Sequence, residues 1–116
     1  MGKEINLLKN YPRTSRDPEA RAASKTQQDR VIARRFGKDF FDGERKYGYG
    51  GYNYNPRFWQ TVVPDFIDFY SLSENSSILD IGSGKGFMLF DFLQFLPSLK
   101  VAGIDISEYA IENSME

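Results

Sequence analysis

Neither cysteine nor histidine occurs among the 116 residues. The first absence excludes disulfides and thiolate metal sites. The second removes the usual general base and the commonest metal ligand, so no metal site is expected. No apolar run approaches the roughly 20 residues a membrane helix needs, and the N-terminus lacks the basic-then-apolar pattern of a secretory signal. A cytoplasmic location without a membrane partner is therefore expected. Length and a hydrophobic content of 41% suit a single globular domain, and no internal repeat is apparent.

Net charge is also nearly absent, at −1, but it conceals a polarised chain. Residues 1–57 carry thirteen Lys or Arg against seven Asp or Glu, whereas residues 58–116 carry two against nine. The basic residues from Arg13 to Lys46 suit a polyanion such as nucleic acid. They are interleaved with Asp17, Glu19, Asp29, Asp39, Asp42 and Glu44, and a solvated helix face is the preferred reading.

What the chain does have is a glycine-rich turn between apolar runs. Ile78-Leu79-Asp80-Ile81 has the composition of a short buried parallel strand, and Gly82-Ser83-Gly84-Lys85-Gly86 follows it. Glycines there let a ligand approach bare backbone, and a helix opening near Phe87 points its free amides at that ligand. Lys100 to Asp105 gives a second strand ending in a carboxylate, at the sheet edge where open α/β sheets bind ligands. A P-loop needs a glycine at position 79 and Ser or Thr at 86, but Leu79 and Gly86 stand there. The dinucleotide fingerprint needs a third glycine at position 87, which is Phe87. What remains is acid-x-G-x-G-x-G at Asp80, Gly82, Gly84 and Gly86, with Asp105 nineteen residues beyond Gly86. Read separately, the turn is only a tight connection and Asp105 a helix-end charge, with Ser107 as the cap. Asp80 is harder to set aside, because an unpaired carboxylate in an apolar run is costly to bury.

Leu79 to Gly86, together with Gly103-Ile104-Asp105-Ile106-Ser107, resembles the class I, Rossmann-like, S-adenosylmethionine-dependent methyltransferases, closely over residues 76–116 and loosely over 36–59. The resemblance implies an α/β Rossmann-like methyltransferase fold with S-adenosyl-L-methionine as cofactor. It implies that Gly82, Ser83, Gly84 and Gly86 pack against the cofactor, that Asp80 lies near its amino group, and that Asp105, beside Ile106, holds the ribose hydroxyls. A carboxylate is a suitable double acceptor for such a diol. The implied chemistry is methyl transfer to an acceptor that these residues do not identify, with catalytic residues unassigned.

The flanking segments are read in two parts: residues 1–57 as a basic helical segment with a Tyr/Gly-rich loop, and 58–116 as an incomplete cofactor-binding domain. Residues 1–16 read as irregular and mobile. Asp17-Pro18 starts a helix running towards Gly37, and its weak apolar stripe makes it dependent on docking. Tyr47 to Trp59 alternates glycines with large amphipathic rings. Tyr49, Tyr52 and Arg57 are either a lid or substrate contact, or members of a surface loop packed on the domain. Asn55-Pro56 opens a helix with a core stripe at Trp59, Val62, Val63, Phe66, Ile67 and Tyr70, kinked at Pro64. Phe87 to Leu96 is apolar almost all round and needs cover on more than one face. A short helix follows Ser107.

Two strands are fewer than the family's sheet uses, so the chain is expected to be the N-terminal portion of a methyltransferase: N-terminal helices, the first β-α-β unit and the start of the second crossover helix. Inactivity alone and association, or pairing with a complementing fragment, are the corresponding expectations. The alternative is a non-enzymatic interaction module using the basic half and the tyrosine loop, with nucleic acid as partner.

Overall fold

The computed structural model describes residues 2–13, 18–23 and 25–115. Two strands organise it, β1 (Ser77–Ile81) and β2 (Lys100–Ile104), paired in parallel from Ser77 opposite Lys100 to Ile81 opposite Ile104. A parallel pair needs a crossover, and helix α6 (Phe87–Phe95) supplies it. The helices α1 (Pro18–Ala23), α2 (Gln27–Ala33), α3 (Lys38–Asp42), α4 (Pro56–Trp59) and α5 (Val63–Tyr70) precede this unit, and α7 (Glu108–Glu112) follows it. Among the described residues, no helix is long and apolar enough to cross a membrane.

Side chains on a strand alternate between faces, and the two faces of this sheet differ. Ile78 and Val101 pack against a core of Val63, Phe92 and Leu99, with Phe66 meeting Phe92 edge-on at 6.0 Å. On the opposite face Leu79, Ile81 and Ile104 are 59%, 75% and 52% exposed. The expectation of a buried strand thus holds for one face, because the helices packed on the sheet lie on one side.

The single helix expected from residue 17 to residue 37 is two helices. Asp17 lies outside the described residues, and the chain restarts at Thr26. Its hydroxyl accepts from the Asp29 amide while Asp29 accepts from the Thr26 amide, a reciprocal cap that begins α2. Phe36 turns left-handed at φ 49°, and Gly37 caps the start of α3 instead of ending a long helix. Similarly, Pro64 occupies the first turn of a separate helix, α5, rather than kinking a continuous one, since a proline there forfeits no intrahelical hydrogen bond. Val62 and Val63 are fully buried, as the apolar stripe requires, but Tyr70 is 57% exposed.

Residues 2–13 are irregular, as expected, and touch the rest of the chain: Tyr11 packs on Trp59 at 5.0 Å, and Asn10 donates to Asp65 at 2.7 Å. Residues 1 and 14–16 of that segment lie outside the described residues.

Candidate functional site

The glycine turn is fastened to the end of β2. The Ile104 carbonyl accepts from the amides of Gly82 (2.8 Å) and Ser83 (3.1 Å), so the chain leaving β1 bends across its neighbour. Gly82, Gly84 and Gly86 all have left-handed φ, at 82°, 57° and 78°. At Gly84 the requirement is double, because a Cβ there would also lie 3.1 Å from the Tyr52 ring. A Cβ at Gly82 would meet no protein atom within 4 Å, which leaves its backbone open to a ligand. No side chain caps α6 at Gly86.

Asp105 stands immediately beyond β2, where the sequence places it. Its Oδ2 accepts from the Gly84 amide and its Oδ1 from the Ser107 amide, each at 2.8 Å. The carboxylate therefore braces the glycine loop and the entry to α7, and each oxygen retains a lone pair for a further donor. Ser107 caps α7 by accepting from the Ala110 amide, as expected. Ile106 beside it is 85% exposed.

Asp80 is the contrasting carboxylate. It lies in β1 opposite Gly103, half-buried, and among the described residues no donor reaches it. Burial, and then the charge of Asp105, push its carboxyl above the usual range. Two acids at the carboxyl ends of adjacent strands make a negative centre that a cation relieves.

The tyrosine loop lies against this centre. Tyr49 and Tyr52 stack at 4.5 Å, and Tyr52 meets Phe87 at 4.7 Å. Burial, followed by the charges around it, pushes the Tyr52 hydroxyl up to about 12, so it stays protonated at neutral pH. Both tyrosines line a cavity of about 690 Å³ that also reaches Gly82, Phe87, Asn53 and Trp59. Arg57 does not line it; its guanidinium lies 4.8 Å from the Phe58 ring. A second, largely apolar cavity of about 520 Å³ between Leu8, Trp59 and Ile78 has Asp80 on its wall.

Two groups at this site escaped the sequence reading. Lys85, considered only as a P-loop lysine, is buried within the glycine loop and donates to Asp42 Oδ2 at 2.7 Å and to the Tyr52 carbonyl at 2.8 Å. Asp42, counted only among the acids of a solvated face, also accepts from the Tyr52 amide (2.9 Å) and the Tyr109 hydroxyl (2.6 Å). A lysine amid glycines was the available signal, since lysine is almost never buried unpaired.

Residues 72–116 match the family model of a methyltransferase domain. A 48-residue stretch is 44% identical to protein-lysine N-methyltransferase EFM4 of Saccharomyces cerevisiae, covering 41% of this chain and 21% of that protein. The chain thus spans about a fifth of the length of that curated relative. No solved structure gives a significant match. Both matches fall on methyltransferases, and neither supports a non-enzymatic interaction module. Asp80, the glycine turn and Asp105 all fall within the matched segment, and residues 72–116 are therefore similar to a methyltransferase domain.

Proposed function

We propose that the chain binds S-adenosylmethionine across the carboxyl ends of β1 and β2 and serves transfer of its methyl group to an acceptor taken up beneath the tyrosine loop. The observation that carries this reading is the pair Asp80 and Asp105 flanking a glycine turn whose Gly82 backbone is open. A half-buried carboxylate without a donor fits the ammonium of the methionine part, and the free lone pairs of Asp105 fit a ribose diol. Gly82, Ser83 and Gly86 supply backbone against the cofactor, and exposed Ile106 supplies an apolar surface for its adenine. Gly84 contributes through the turn, because Tyr52 covers it.

The cofactor supplies an electrophilic sulfonium methyl. The protein's part is to orient the acceptor for in-line attack and to keep water out, a role suited to Tyr49 and Tyr52 at the cavity wall. A lysine amine is the acceptor to try first, given the likeness to EFM4. Tyrosine faces and Trp59 can hold its aliphatic stem, while the ammonium gives up a proton to solvent before its nitrogen attacks the methyl carbon and displaces S-adenosylhomocysteine.

Calorimetry with S-adenosylmethionine tests the site. Asp80→Asn removes a charge that no described protein group uses, so the fold should persist while affinity falls by about ten-fold, or roughly 1.5 kcal/mol. Asp105→Asn should cost at least as much. Wild-type affinity in folded Asp80→Asn would overturn the assignment, and wild-type affinity in Asp105→Asn would reduce that acid to a brace for Gly84 and Ser107.

A further inference from the structure

Asp42 and Lys85 join four parts of the chain at one point. Asp42 ends α3, Lys85 belongs to the glycine loop, Tyr109 belongs to α7, and Tyr52 contributes its backbone on both sides, its amide to Asp42 and its carbonyl to Lys85. The ammonium also lies 5.9 and 5.8 Å from the Tyr52 and Tyr109 ring centroids. Burying a lysine and a carboxylate together costs several kcal/mol of desolvation and is sustained only by good geometry and further hydrogen bonds. Two acceptors for the ammonium and three donors for the carboxylate are present here. The consequence falls on Tyr52, whose ring is held over Gly84 and stacked on Tyr49.

We infer that Asp42 and Lys85 are positioning residues for the cofactor site: their ion pair grips the backbone of Tyr52 and so sets the wall that the Tyr52 and Tyr49 rings form beside the glycine loop. This rests on the cofactor site proposed above. It makes the tyrosine segment a fixed wall latched to the loop it faces, and it gives the N-terminal region a part in cofactor affinity. Lys85 acts without touching the cofactor, through Tyr52.

Because the pair's hydrogen bonds to Tyr52 are to its backbone, the ring and the latch can be removed separately. Lys85→Met, Tyr52→Ala and the double substitution are titrated calorimetrically with S-adenosylhomocysteine, and amide exchange is followed over residues 48–53. Each single substitution should weaken binding by about ten-fold, and the double should be no weaker than the poorer single, since both act through one ring. Tyr52→Phe should recover most of the affinity lost in Tyr52→Ala, and Lys85→Met should accelerate exchange in the loop. Wild-type affinity in folded Lys85→Met, or losses that multiply in the double, would overturn the inference. If Lys85→Met does not fold, Tyr52→Ala decides, with unchanged affinity counting against the wall. No binding by the unsubstituted protein would defeat the cofactor site and this inference together, whereas equal binding by all forms would defeat the latch alone.

Discussion

Asp91 has no solvent exposure, accepts a 2.5 Å hydrogen bond from the Tyr54 hydroxyl at Oδ1, and has no donor at Oδ2 among the described residues. Burial raises its carboxyl above the ordinary range, against the lowering effect of the Tyr54 hydroxyl and the nearby Gln60 amide. A carboxyl raised by folding favours the folded state most when protonated, and that contribution declines as pH climbs above the unfolded value of 3.8. Tyr54→Phe removes the donor that favours the ionised form. It should destabilise by about 1–3 kcal/mol at pH 7 and by less near pH 4. Urea unfolding at the two pH values checks this, and equal losses would show that Asp91 does not ionise between them. Neither residue stood out in the sequence, where Tyr54 is one of seven tyrosines and Asp91 interrupts an apolar helix. Asp80 and Asp105 stood out in the sequence because one interrupts and the other ends an apolar run, each at a fixed distance from the glycines.

At the scale of elements, β1, the glycine turn and β2 behave as one unit. Gly103 shows why: a Cβ on it would lie 2.6 Å from Ser83 Oγ, 2.8 Å from Ser83 Cβ and 3.0 Å from Leu89 Cδ1. The strand must be bare at that point for the turn to cross it. Rotating the Ser83 hydroxyl would relieve only the first contact. Gly103→Ala should therefore displace the turn and destabilise by about 1–3 kcal/mol, as overpacking does. Thermal unfolding measures the cost, and a wild-type midpoint would mean that the loop yields freely. The strands, α6 and the cap at Ser107 were readable from composition because their signals are local. The break between α1 and α2 and the separate start of α5 at Val63 were misread. At α2 the reciprocal cap of Thr26 and Asp29 overrode a hydrophobic stripe, and at α5 Pro64 sits in the first turn, where a proline is tolerated.

At the scale of the whole molecule, Asp42 is where the N-terminal helices meet the segment that matches the methyltransferase model. Burial would raise its carboxyl, but hydrogen bonds from Lys85, Tyr109 and the Tyr52 amide prevail and hold it at about 2. A carboxyl lowered by folding stabilises above the unfolded value of 3.8, and that stability is lost as pH falls through about 2. The contribution is about 1–2 kcal/mol after allowance for solvent screening of a partly exposed group. Acidification from pH 4 to 2 should therefore loosen the tyrosine loop, seen as a fall in near-ultraviolet circular dichroism. Asp42→Asn should flatten that transition, and a transition of unchanged size would place its cause elsewhere.

Sequence alone determined the glycine turn, the places of its two acids and the strand–turn–helix that carries them, because each depends on backbone freedom, short-range hydrogen bonding and apolar runs within a few tens of residues. Only the tertiary structure decided that Lys85 turns inward, that Asp42 is a partner rather than a solvated charge, and that Tyr52 rather than Arg57 reaches the glycine loop. Those outcomes depend on groups 33 to 67 residues apart, and at such separations neither spacing nor composition specifies which side chains share a buried site. The physical reason is desolvation: a charge is held inside only where the fold delivers its counter-charge and its remaining hydrogen-bond partners, and that delivery is a property of the packed chain.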